Sequence, residues 1–134
     1  MDGGSADGGY DGCDEKGGVD LMREKIAKLF LSLGIPPCLK GFQAGVCAIE
    51  IILEYPNVMD QITKRLYPEV AKRMGSTASR VERAIRHAVE VMFDYQDYDR
   101  IIQLLGLEVN VRTGRYRNSE FLSLCALKLR RLEA

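Results

Sequence analysis

The chain has little that could carry chemistry of its own. It holds one histidine, His87, and four cysteines, Cys13, Cys38, Cys47 and Cys125, none of them paired as C-x-x-C. Zinc sites need closely spaced Cys and His ligands, so no metal and no cofactor is expected. No glycine-rich phosphate loop occurs, and no third residue orients a Cys–His pair, so the chain is not expected to be an enzyme. No apolar run approaches the roughly 20 residues that cross a membrane. The N-terminus lacks the basic region and apolar run of a signal peptide. A cytoplasmic location is expected, where thiols stay reduced, and Cys47 and Cys125 read as small core residues. Aromatic residues make up only 7% of the chain and form no visible stacking platform, which argues against RNA binding.

Formal net charge is absent too, but this zero is a sum of opposites. Residues 1–20 contain six acids and one base; residues 21–134 contain 13 acids and 18 bases. Between positions 61 and 87 stand seven bases and two acids, Glu69 and Glu82. A concentrated basic surface points to an anionic partner. Of 13 glycines, seven fall within residues 1–18, which show no apolar period. Residues 1–19 therefore read as a flexible acidic tail, and 20–134 as one domain with one core.

Within that domain the apolar period is helical. Asp20 is placed to cap a first helix, whose inner side would carry Leu21, Ile26, Leu29, Phe30 and Leu33. Gly34 stops it, and Ile35-Pro36-Pro37 makes a rigid connector. A second helix spans about 39–55, with Leu39, Phe42, Val46, Ile49, Ile52 and Leu53 at helical spacing. Pro56 ends it, and Asn57 can cap a third that runs to about Leu66. PEVAKRM, with Pro68 in its first turn, forms a short helix closed by Gly75. Asp97 or Asp99 starts a helix ended by Gly106, and 107–117 read as a loop with one extended edge. Asn118 is expected to cap a last helix that turns Phe121, Leu124, Cys125, Leu129 and Leu132 inward. The expected fold is all-α: a single domain of six or seven helices containing a helix-turn-helix.

The segment GSTASRVERAIRHAVEVMFDY, 75–95, carries the functional signal. At about 100° per residue, Val81, Ala84, Ile85, Ala88, Val89, Val91 and Met92 fall within one arc of roughly 160°. Ser79, Arg80, Glu82, Arg83, Arg86, His87 and Glu90 fill the opposite arc. The preceding short helix supplies what a helix-turn-helix needs: small Ala71 where the helices cross, Gly75 in the turn, and apolar Val70, Met74, Val81 and Ala84. Thr77 is one possible N-cap; Ser79 with Glu82 also has the S-x-x-E form of a capping box.

In such a motif the start of the second helix, here about 77–95, enters the DNA major groove. Arginine can donate twice to guanine, and glutamate can accept from cytosine. Arg80, Glu82 and Arg83 are early enough to reach base edges. Lys72, Arg73, Ser76, Thr77, Ser79, Arg86 and His87 are placed for the DNA backbone. The plainer reading is a solvated face on which Glu82 pairs with Arg86 at i,i+4 and His87 is a surface residue.

STASRVERAIRHAVEV closely resembles the recognition segment of a known family: the C-terminal effector domain of the master sporulation response regulator of spore-forming Firmicutes. LGIPPCLKGF, ITKRLYPEVAKRM and NSEFLSLCALKLRRLE resemble the same domain, so the likeness spans about residues 21–133. The resemblance implies an all-helical module that binds double-stranded DNA at a short promoter element. It also implies tandem or dimeric binding on DNA and contact with RNA polymerase sigma factors. By similarity, Arg80, Glu82 and Arg83 would meet bases, and Arg86 the backbone. Two departures stand out. The family's regulator carries an N-terminal receiver domain, and here Gly/Asp-rich residues stand in its place. Leu127 stands where a polar residue is expected. Two functions follow: a sequence-specific DNA-binding transcription regulator, or a protein-interaction module that binds sigma factor or a full-length relative without DNA.

Overall fold

In the computed structural model, which describes residues 17–106 and 116–133, six α-helices surround one continuous core, with no strand among the described residues. The readings of 1–16 as a tail and of 107–115 as a loop lie outside the described residues.

Helix α1, Gly17–Ser32, begins three residues before Asp20, which therefore lies inside the first turn and is not the cap. The first four N–H groups of any helix lack an intrahelical partner, so nothing at Asp20 prevents the helix from taking one more turn upstream. Ile26, Leu29, Phe30 and Leu33 are buried as expected, whereas Leu21 is 60% exposed. Five residues separate Leu21 from Ile26, which rotates it about 140° off the buried stripe. Gly34, at φ 85°, turns the chain toward buried Ile35.

Helix α2, Lys40–Glu54, is the centre of the molecule: residues on almost every side of it are buried, from Gly41 through Ile52. An amphipathic helix would have one such stripe, but α2 packs against α1 and three later helices. Phe30 of α1 stands edge-on to Phe42, ring centroids 5.5 Å apart. Two glycines admit the neighbours. A Cβ on Gly45 would lie 2.7 Å from the Phe30 ring, and one on Gly41 would overlap the backbone of residue 84.

Pro56 ends α2, but the chain does not leave helical geometry. Tyr55 is the hinge, Pro56–Gln61 form a 3₁₀ helix, and Asn57 sits within it instead of capping. Proline's fixed φ and missing N–H suit a first helical turn, so the turn starts two residues earlier than the asparagine suggests. A π-turn, Ile62–Leu66, runs without a break into helix α3, Tyr67–Met74. Helix α4 is Ala78–Tyr95. Gln96 follows it, donates from Nε2 to the Ser32 carbonyl at 2.9 Å, and so ties the end of α4 to the end of α1. Helix α5, Tyr98–Leu105, is capped by Asp97, whose carboxylate accepts from the Asp99 N–H, and is closed by Gly106 at φ 78°.

Helix α6, Asn118–Glu133, buries Phe121, Leu122, Leu124, Cys125, Ala126 and Leu129. Its N-terminus corrects the expected cap. Arg117 occupies the cap position: its carbonyl accepts from the Phe121 N–H at 2.9 Å. Its own N–H donates to the Glu120 carboxylate at 2.8 Å, one half of a capping box. Asn118 is already inside the helix, and its side chain has other partners.

Candidate DNA interface

The α3–turn–α4 unit is built as its residues dictate. Val70 and Ala71 are buried at the crossing. Gly75 takes φ 65°, ψ 42°, the left-handed conformation that costs glycine little. The N–H groups of Gly75 and Ser76 both donate to the Ala71 carbonyl, the second at 2.8 Å. Thr77 is then extended, and its hydroxyl accepts from the Arg80 N–H at 3.2 Å. Thr77 is thus the cap. Ser79 lies within the first turn, so its S-x-x-E pairing with Glu82 is no capping box.

Val81, Ile85, Ala88, Val89 and Met92 are buried, and Ala84 and Val91 half-buried. Arg80, Arg83, Arg86, His87 and Ser79 are exposed, as are Lys72, Arg73 and Thr77; Ser76 and Glu82 are half-buried. The wheel drawn from sequence therefore holds in three dimensions, and all the candidate residues lie on or beside one helix pair.

Their charges are not equivalent. Arg86 pairs with Glu82 at 3.3 Å, and Arg73 pairs with Glu69 at 3.0 Å, each along its own helix. Arg80, Arg83 and Lys72 have no ion pair among the described residues. They present full positive charge outward. Exposed pairs such as Arg86–Glu82 contribute little to stability, about 0.3–0.5 kcal/mol, so a polyanion can readily exchange for them.

A cleft of about 310 Å³ lies beside the start of α4. Ser79, Glu82, Arg83 and Arg86 line one wall, and Thr63 and Tyr67 the other. Sequence reasoning missed Thr63 and Tyr67, because neither follows the α4 period: Thr63 sits in the π-turn and Tyr67 at the start of α3. Tyr67 is buried, and burial pushes its hydroxyl pKa up; a hydrogen bond from Asn118 works in the opposite direction. That bond is 3.1 Å, from Asn118 Nδ2 to the Tyr67 hydroxyl. The same nitrogen lies 3.1 Å from the backbone carbonyl of Glu82. Asn118 was legible only as a cap, and the competing role wins because two acceptors converge on it.

No helix of the described residues is long and apolar enough to cross a membrane. The fold and site define an all-helical domain that carries a helix-turn-helix with a basic outer face. Residues 26–129 match the family described as sporulation initiation factor Spo0A C terminal, and the chain belongs to that family. It is a sporulation-initiation effector domain of the response-regulator type, from a family of DNA-binding regulatory domains and not of enzymes.

Proposed function

We propose that this chain is a sequence-specific DNA-binding transcription regulator acting in the cytoplasm, with the start of α4 in the major groove of a promoter element. The observation that carries this reading is the pairing of an inner face packed on the core with Arg80 and Arg83 exposed and without ion-pair partners among the described residues. Arg80 and Arg83 donate to base edges, and Glu82 accepts from one. Lys72, Arg73, Ser76, Thr77, Ser79, Arg86 and His87 hold the sugar-phosphate backbone. Lys72 carries a larger share than Arg73, whose charge is already met by Glu69.

Site selection from random duplexes, followed by anisotropy titrations, tests the reading. Arg80→Ala should cost about 1–3 kcal/mol and relax preference at one base pair. Lys72→Ala should weaken all duplexes alike and flatten the salt dependence. Equal affinity for selected and scrambled duplexes would refute sequence-specific binding.

A protein partner is the second reading. Leu127, 46% exposed on α6, favours it, because it offers an apolar contact away from the buried face of that helix. Capture of sigma factor or of a full-length relative that survives Arg80→Ala with Arg83→Ala would support it. Tandem or dimeric binding on DNA would appear as cooperative titration of duplexes with two adjacent sites.

A further inference from the structure

Tyr116 and Asn118, at the entry to α6, both reach α4. The Tyr116 ring meets Phe93 nearly edge-on, centroids 5.2 Å apart at 73°. One helical turn into the DNA-reading segment, Asn118 Nδ2 bridges the Glu82 carbonyl and the Tyr67 hydroxyl, 3.1 Å from each. A backbone carbonyl has two lone pairs; the helix ladder uses one, and Asn118 takes the other. Tyr67 begins α3 and Glu82 lies in α4, so one side-chain amide joins both helices of the motif to α6.

We infer that Asn118 is a positioning residue for base reading: its amide sets the height and rotation of the Arg80–Arg83 turn relative to α3. This rests on the DNA-binding reading above. Arg80, Glu82 and Arg83 all lie within one turn of the anchored carbonyl. Base-edge hydrogen bonds lose strength steeply with small errors of angle, whereas a phosphate contact from a long side chain tolerates them. Releasing the anchor should therefore cost specificity while sparing general affinity.

The test is anisotropy with a selected duplex and a scrambled duplex of equal length, at several salt concentrations, for wild type, Asn118→Ala, Asn118→Gln and Tyr67→Phe. Removing the bridge should lower the selected-to-scrambled affinity ratio about tenfold in Asn118→Ala, the scale of a hydrogen bond to a part-buried acceptor. Scrambled binding and its salt slope should stay within about twofold, because the phosphate contacts are intact. Asn118→Gln keeps an amide donor and should recover part of the ratio. If Asn118→Ala loses helicity, Tyr67→Phe, which deletes one acceptor only, should still lower the ratio. An unchanged ratio in folded variants, or parallel loss on both duplexes, overturns the positioning role. A wild-type ratio near one overturns the DNA-reading proposal and this inference with it; a high wild-type ratio unaffected by Asn118→Ala overturns this inference alone.

Discussion

Gly41 of α2 lies directly against the carbonyl of Ala84 in α4: a Cβ at Gly41 would overlap that oxygen and stand 2.7 Å from the Ala88 Cβ. The helix that carries the arginines is seated closely on the core helix at this point. Gly41→Ala should destabilise the domain by about 1–3 kcal/mol, because the obstacle is backbone and α4 must shift bodily. Urea denaturation checks the loss. A neutral result would mean that the two helices separate more easily than this packing implies.

Thr77→Ala should cost about 1 kcal/mol, because the Arg80 N–H loses the hydroxyl that accepts from it. Thr77→Ser keeps the acceptor and should cost much less. Thermal melts of the two variants compare them directly, and equal losses would show that the hydroxyl is not what matters.

Alkaline pH should unfold the domain earlier than exposed groups alone would. Burial holds the Tyr116 hydroxyl well above its ordinary value of 10.0, up to about 12, and burial also raises Tyr67. Above pH 10 the unfolded chain loses these protons while the native state keeps them, so the unfolded state binds fewer protons and stability falls as pH rises. The Tyr116 contribution is complete below pH 10 and disappears between 10 and about 12, and that of Tyr67 is lost in the same direction. Denaturation midpoints at pH 9 and pH 11 should differ, and the difference should shrink in Tyr116→Phe.

Thiol labelling should separate the cysteines by burial. Cys38 is exposed, whereas Cys47 and Cys125 are buried. Burial also raises the pKa of both buried thiols, so the reactive thiolate is scarce. In a Cys13→Ser background, one thiol should react quickly with an aromatic disulfide in the native state and two more only on denaturation. Fast reaction of all three would contradict the packed core around α2 and α6.

Most of the helices were legible in sequence because their apolar spacing and their stop residues agreed. Gly34, Gly75 and Gly106 end helices in the structure at positive φ, where glycine is the least strained choice. The caps were less legible. Asp20, Asn57 and Asn118 each have a good capping side chain, yet none of them caps. A cap signal reports only what a side chain can do locally. Whether it does so depends on where the backbone starts its turn and on which acceptors the rest of the fold brings near.

The sequence by itself determined the helical class, the split of α4 into an apolar and a basic face, and the Ala71–Gly75 turn before it. All of these are set by residues within one or two turns of each other. Tertiary structure alone decided that Thr63 and Tyr67 face the start of α4 across a cleft, that Gly41 seats α4 on α2, and that Asn118 holds the Glu82 carbonyl from 36 residues away. Contacts of that range follow no period in the chain; they exist only once the core has closed and brought distant backbone within hydrogen-bonding distance.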